Sequence, residues 1–158
     1  MQFINLHAAD LKGRVDLPGF EEWLAGWGEE DRTGLILAPA GSGKAAAVGA
    51  LANRLRKPVV QCNLLELLEY EDRARQLKTL LLACQTHKGA VVQLDKVSQA
   101  AERWGEDAGQ DLGPSLAAWL RQVRPQLAES DSVVILSGRQ PDALGKALLE
   151  AVDRKLIV

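Results

Sequence analysis

The chain has 158 residues, 47% hydrophobic and 25% charged, the balance expected of one soluble globular domain with a sizeable core. Its formal net charge of -2 speaks against the basic face that marks a nucleic-acid binder, and the cluster Arg54, Arg56 and Lys57 reads as a solvated helix end. No apolar stretch approaches a membrane span, no signal-peptide pattern opens the chain, and Cys62, Cys84, His7 and His87 lack metal-ligand spacing, so the expected setting is cytoplasmic.

The first fourteen residues carry a few apolar side chains, Phe3, Ile4 and Leu6, interrupted by Asn5. Leu17-Pro18-Gly19 predicts a turn, after which Phe20, Trp23, Leu24 and Trp27 recur at helical spacing. Residues 34–37 form a short apolar run read as a buried strand, and an alanine-rich helix is predicted over residues 43–54 with Val48 and Leu51 inward. A strand over residues 59–62 follows, then a helix over residues 73–84 with Leu77, Leu80, Leu81 and Cys84 on one side. Residues 90–94 are another buried run, ending at Asp95. The polar, glycine-bearing segment 102–113 is expected to be a mobile loop, and Pro114 to open a helix with Leu116, Trp119, Leu120 and Val123 on its core face. A strand (133–136), a helix (143–152) and a last strand (155–158) complete the pattern. Alternating strands and helices, with apolar strands, predict a parallel sheet covered on both faces. A chain that stops on a sheet strand is expected to be a piece of a longer protein.

Ala38-Pro39-Ala40-Gly41-Ser42-Gly43-Lys44-Ala45 lies between a predicted strand and a predicted helix. This is the context in which the phosphate-binding pattern GxxxxGK[ST] has meaning. Glycines let several backbone N–H groups turn toward one point, the helix dipole adds positive potential there, and Lys44 would reach the outer phosphates. The pattern is broken twice. Ala38 replaces the first glycine, and Ala45 replaces the hydroxyl that would ligate magnesium.

Further segments extend the match. Val91-Val92-Gln93-Leu94-Asp95-Lys96-Val97 resembles the Walker B strand of the AAA+ ATPases, and residues 133–144, ending Pro141-Asp142-Ala143-Leu144, resemble their sensor-1 strand and the stretch after it. Residues 149–158, with Asp153-Arg154, are similar to the segment leading into that family's last core strand, and residues 17–24 to the helix before its first. The order and spacing of these pieces cover nearly the whole chain. The resemblance implies a three-layer α-β-α sandwich with a five-stranded parallel sheet in the order 5-1-4-3-2, without the family's helical lid. Residues 1–32 would be the N-terminal segment and leading helix of the same domain, and residues 33–158 the core. It also implies a nucleotide site at Pro39, Ala40, Gly41, Ser42, Gly43, Lys44, Ala45 and Asp95, with Asp95 holding magnesium through water if a metal is held at all.

Position by position, the family's hydrolytic groups are missing. Lys96 stands where a glutamate should polarise water, and an ammonium group cannot accept that proton unless its pKa falls far. An ordinary lysine at a strand end is the expectation for it. Arg139 falls at the sensor asparagine; Leu148, Glu150 and Ala151 fall at the arginine-finger positions. Tyr70 lies near the pore loop without the glycine that follows the aromatic there, and is expected to be packing or surface. No residue is therefore assigned a catalytic role.

The function implied is a degenerate AAA+ nucleotide-binding domain with weak or absent hydrolysis, structural or regulatory in a larger assembly. ATP or ADP would be its ligand, with magnesium weak or absent, and its partners AAA+ domains of the same or neighbouring chains, as in a ring. The alternative is an active AAA+ remodelling ATPase. A small-molecule kinase is disfavoured because segment 102–113 is acidic apart from Arg103 and offers no basic lid. Trp23, Trp27 and Trp104 are expected in the core, with a docking patch as the other reading.

Overall fold

The computed structural model describes residues 4–6, 13–104, 111–139 and 145–158. In chain order the elements are β1 (Ile4–Leu6), α1 (Phe20–Ala25), β2 (Thr33–Leu37), α2 (Lys44–Leu55), β3 (Val59–Asn63), a 3-10 turn (Leu64–Glu69) and α3 (Arg73–Thr86). Then come β4 (Val91–Asp95), α4 (Val97–Glu102), α5 (Leu112–Ser130), β5 (Val133–Gly138), α6 (Gly145–Ala151) and β6 (Arg154–Ile157). The sheet order is β1-β3-β4-β5-β2-β6. From β3 to β6 every pairing is parallel, which is the predicted five-stranded order. One element is added: β1 pairs antiparallel with the outer edge of β3, Asn5 opposite Val60. Three residues are too few to show a period, so nothing in the sequence marked it.

The strands are apolar throughout because both faces are covered. Along β2, Leu35 and Leu37 point into the core shared with α3, α4, α5 and α6, while Ile36 points into the core shared with α1 and α2. Val91 and Val92 divide the same way on β4, the alternation of an extended chain. Helix α2 buries Ala47, Val48, Leu51 and Ala52, and each fully buried leucine of this kind contributes roughly 2 kcal/mol. Trp23 and Trp27 meet edge to face at 5.3 Å, and with Trp104 they are buried, so the tryptophans belong to the core.

Two boundaries differ from expectation. Helix α5 begins at Leu112, ahead of Pro114, because proline is tolerated anywhere in a first turn whose N–H groups have no intrahelical acceptor. It also runs through Pro125, whose missing N–H is outweighed by the buried stripe Leu116, Trp119, Leu120, Val123 and Leu127. Part of segment 102–113 is helical: Glu102 closes α4, and Leu112 and Gly113 open α5. Residues 105–110 of that segment, and the Pro141-Asp142-Ala143-Leu144 stretch, lie outside the described residues. Among the described residues no helix is long and apolar enough to cross a membrane.

Candidate functional site

Strands β4, β5 and β2 are neighbours, so the segments leaving their carboxyl ends converge. They enclose a cavity of about 250 Å³. From β2 comes the glycine loop with Ala40, Gly41, Gly43, Lys44 and Ala45; from β4 come Asp95, Lys96 and Gln99; from β5 comes Arg139.

The loop's shape follows from its glycines. Gly41 and Gly43 have φ of +79° and +93°, a region that favours glycine. At Gly43 the requirement is doubled, since a Cβ there would lie 2.4 Å from the Arg14 carbonyl oxygen. The segment before α1 thus crosses directly over the loop, and the Asp16 N–H donates to the Ser42 carbonyl at 2.9 Å. Residues 44–46 form the first turn of α2, where N–H groups lack intrahelical acceptors and the dipole is positive. The Lys44 ammonium bends back to donate to the carbonyls of Ala38 (2.7 Å) and Pro39 (3.3 Å), and the Ser42 hydroxyl also donates to Pro39 (2.5 Å).

Asp95 is oriented by a chain of side chains running across three strands. Gln61 Nε2 donates to Gln93 Oε1 at 3.2 Å, Gln93 Nε2 to the Ser137 hydroxyl at 3.0 Å, and that hydroxyl to Asp95 Oδ1 at 2.8 Å. Gln93 and Ser137 are buried, and such groups must be partnered. Sequence reasoning missed this ladder. Its signal was a glutamine inside each of two strands, but their alignment, Gln61 opposite Gln93, is a matter of register.

Lys96 stands at the end of β4, as expected, and its backbone there is distinctive. It has φ 65° and ψ 30°, left-handed, at the start of α4. A non-glycine residue there costs on the order of 1 kcal/mol. Arg139 is drawn alongside by a close approach between β5 and α4: a Cβ on Gly138 would lie 2.5 Å from Ser98 Oγ and 2.9 Å from its backbone nitrogen. Ser98 Oγ then donates to the Arg139 carbonyl at 3.2 Å. Burial pushes the pKa of Lys44 below its ordinary value; Asp95 opposes that shift, and the charges of Lys96 and Arg139 add to it.

The wall does not fit magnesium. The Ala45 methyl stands at the position matched to a hydroxyl ligand, and Lys96 lines the cavity beside Asp95, the one carboxylate there. It does fit a phosphate group, for which bent-back glycine backbone, a helix start and a lysine are the needed parts.

The other motif residues do not line this cavity. Leu148 is fully buried, Glu150 is exposed near Lys146, and Arg154 donates to the Trp23 carbonyl at 3.2 Å. Asp153 accepts the N–H groups of Arg32 (2.8 Å) and Thr33 (3.2 Å) and pairs with Arg124 at 3.1 Å. Tyr70 is half-buried at the end of the 3-10 turn. Cys62 and Cys84 are buried, and loss of solvent pushes both thiols up to about 12.

Among solved structures the chain is similar to one titled "Crystal structure of FIGL-1 AAA domain", with a TM-score of 0.62 and 16% identity, over 98% of this chain and 52% of that one. The chain therefore spans about half the length of that structure, and at this identity the likeness is one of fold. No curated protein matches. The model of the ATPase family associated with various cellular activities (AAA) matches residues 35–158, most of the chain. This chain belongs to the AAA family of P-loop ATPase domains.

Proposed function

We propose that the domain binds ATP or ADP on its glycine loop with weak or absent hydrolysis, and serves an AAA assembly structurally or by regulation. The observation that carries this is the composition of one cavity wall: the phosphate-holding parts, Gly41, Gly43 and Lys44, stand beside Ala45 and Lys96. Hydrolysis needs a bridging metal and a group that accepts or orients the attacking water. Ala45 offers no ligand, and Lys96 brings a positive charge where a carboxylate would draw a proton. The positions matched to an arginine finger, Leu148, Glu150 and Ala151, hold no arginine, and such a finger supplies roughly a thousandfold or more in related systems. AAA domains typically assemble into rings, so a hydrolysing AAA domain in the same or a neighbouring chain is the natural partner.

Phosphate release from ATP in the presence of magnesium tests the reading. None above background is expected, and restoring Ala45→Thr with Lys96→Glu raises it if those two losses dominate. Turnover of about one per second by the unaltered chain would instead favour an active remodelling ATPase.

A further inference from the structure

Three cations, Lys44, Lys96 and Arg139, line a cavity that holds one carboxylate, Asp95. Asp95 makes no ion pair with any of them among the described residues; the Ser137 hydroxyl occupies one of its oxygens. Two positive charges therefore face the space uncancelled, in a partly enclosed site where screening by water is reduced. Such an excess is unfavourable unless an anion enters. We infer that Lys96 and Arg139 are phosphate-binding residues that take over the neutralising role of magnesium, so that the cavity receives a nucleoside diphosphate or triphosphate as the metal-free anion. The inference rests on the nucleotide-binding reading above and names the ionic form of its ligand.

Three observations support it independently of charge count. Lys96 is left-handed at the start of α4, whereas Arg56 and Asp131, the other left-handed non-glycine residues among those described, stand at helix ends, where that conformation is common. Arg139 is anchored through its own carbonyl to Ser98, and Gly138 lets the start of α4 approach β5 closely, so that Lys96 and Arg139 line one cavity. Gln99 Oε1, in the same wall, is buried without a hydrogen-bond partner among the described residues. Its amide, turned by half a rotation, would present NH₂ to an anion. Lys44, beside them, already responds to both charges, which push its pKa in the same downward direction as burial does.

A magnesium-bound nucleotide fits this wall less well, because the metal would meet two cations and a methyl group where it needs oxygen. The chain has thus exchanged a diffusible cation for two tethered ones, and with it the metal's part in hydrolysis.

Calorimetric titration with ADP, once with EDTA and once with excess magnesium, tests this. The expected result is binding in EDTA that magnesium leaves unchanged or weakens, and that falls as salt is raised. Lys96→Met and Arg139→Met should each weaken it about tenfold or more, and Lys96→Arg should keep it, since charge-assisted contacts to phosphate are the strong ones. Lys96→Gly serves as a second charge deletion in which the backbone is relieved, so lost binding there cannot be ascribed to misfolding. Ala45→Thr with Lys96→Glu should turn the site into one that needs magnesium. Binding by the unaltered chain that magnesium tightens about tenfold, or Met and Gly variants that bind within about twofold of it, would overturn the inference and leave the nucleotide-binding reading standing. No ADP binding under either condition would overturn both.

Discussion

At the two ends of the sheet the chain handles charge in opposite ways. At the amino ends of the strands, cations and acids are matched: Arg32 and Lys57 both reach Asp131, at 3.1 and 2.7 Å, and Arg124 reaches Asp153 at 3.1 Å. At the carboxyl ends, Lys44, Lys96 and Arg139 share a cavity with Asp95 and form no ion pair among the described residues. The first arrangement is what folding asks for, each charge having a partner. The second leaves repulsion uncancelled at a cleft, the arrangement that the proposed binding of an anion would relieve. Residues that hold the fold are thus set apart from those proposed to meet a ligand.

Changes at the amino end should therefore cost stability and spare binding, while changes at the carboxyl end should do the reverse. The largest effect is expected at Asp153, whose carboxylate accepts two backbone N–H groups and pairs with Arg124. Asp153→Ala should cost about 2–3 kcal/mol, read as a lower urea midpoint, with ADP affinity kept. Next comes Lys96→Gly, which should raise stability by about 1 kcal/mol, or the melting temperature by roughly 2–4 °C, while weakening ADP binding. A melting temperature that falls instead would show that the lysine is a structural residue, and the contrast between the two ends would fail.

The smallest effect is expected at Asp131. Hydrogen bonds from Lys57 and then Arg32 hold its carboxyl below the ordinary 3.8. A depressed carboxyl contributes stability above its unfolded pKa and loses it as pH falls through the lower folded one. Because the side chain is 71% exposed, screening leaves a few tenths of a kcal/mol at most. Asp131→Asn should flatten the acid limb of urea midpoint against pH below about pH 4, and leave the neutral region nearly unchanged.

The sheet was legible in the sequence because its five parallel strands are apolar on both faces and separated by helices with one clear stripe. Leu77, Leu80, Leu81 and Cys84 on α3, and Leu116, Trp119, Leu120 and Val123 on α5, are buried as their spacing requires. Strand β1 was not legible, since three residues carry no period, and neither was α4, whose six residues sit in a run without turn signals at its start. Within the site, Gly41, Gly43, Lys44 and Asp95 could be read from motif and context. The surroundings of Lys96 could not: a sequence shows that glutamate is missing, whereas the left-handed backbone and the cavity shared with Arg139 are facts of geometry. Gln61, Gln93 and Ser137 were hidden for a similar reason, because each looks like an isolated polar residue until the strands are in register.

The fate of bound ATP is the deciding property of this domain. A single-turnover experiment, with protein in excess over ATP labelled at the γ-phosphate and magnesium present, measures it directly. The expected result is nucleotide retained by the protein and recovered as ATP after prolonged incubation. Recovery as ADP with free phosphate, or failure to retain the label at all, would contradict it.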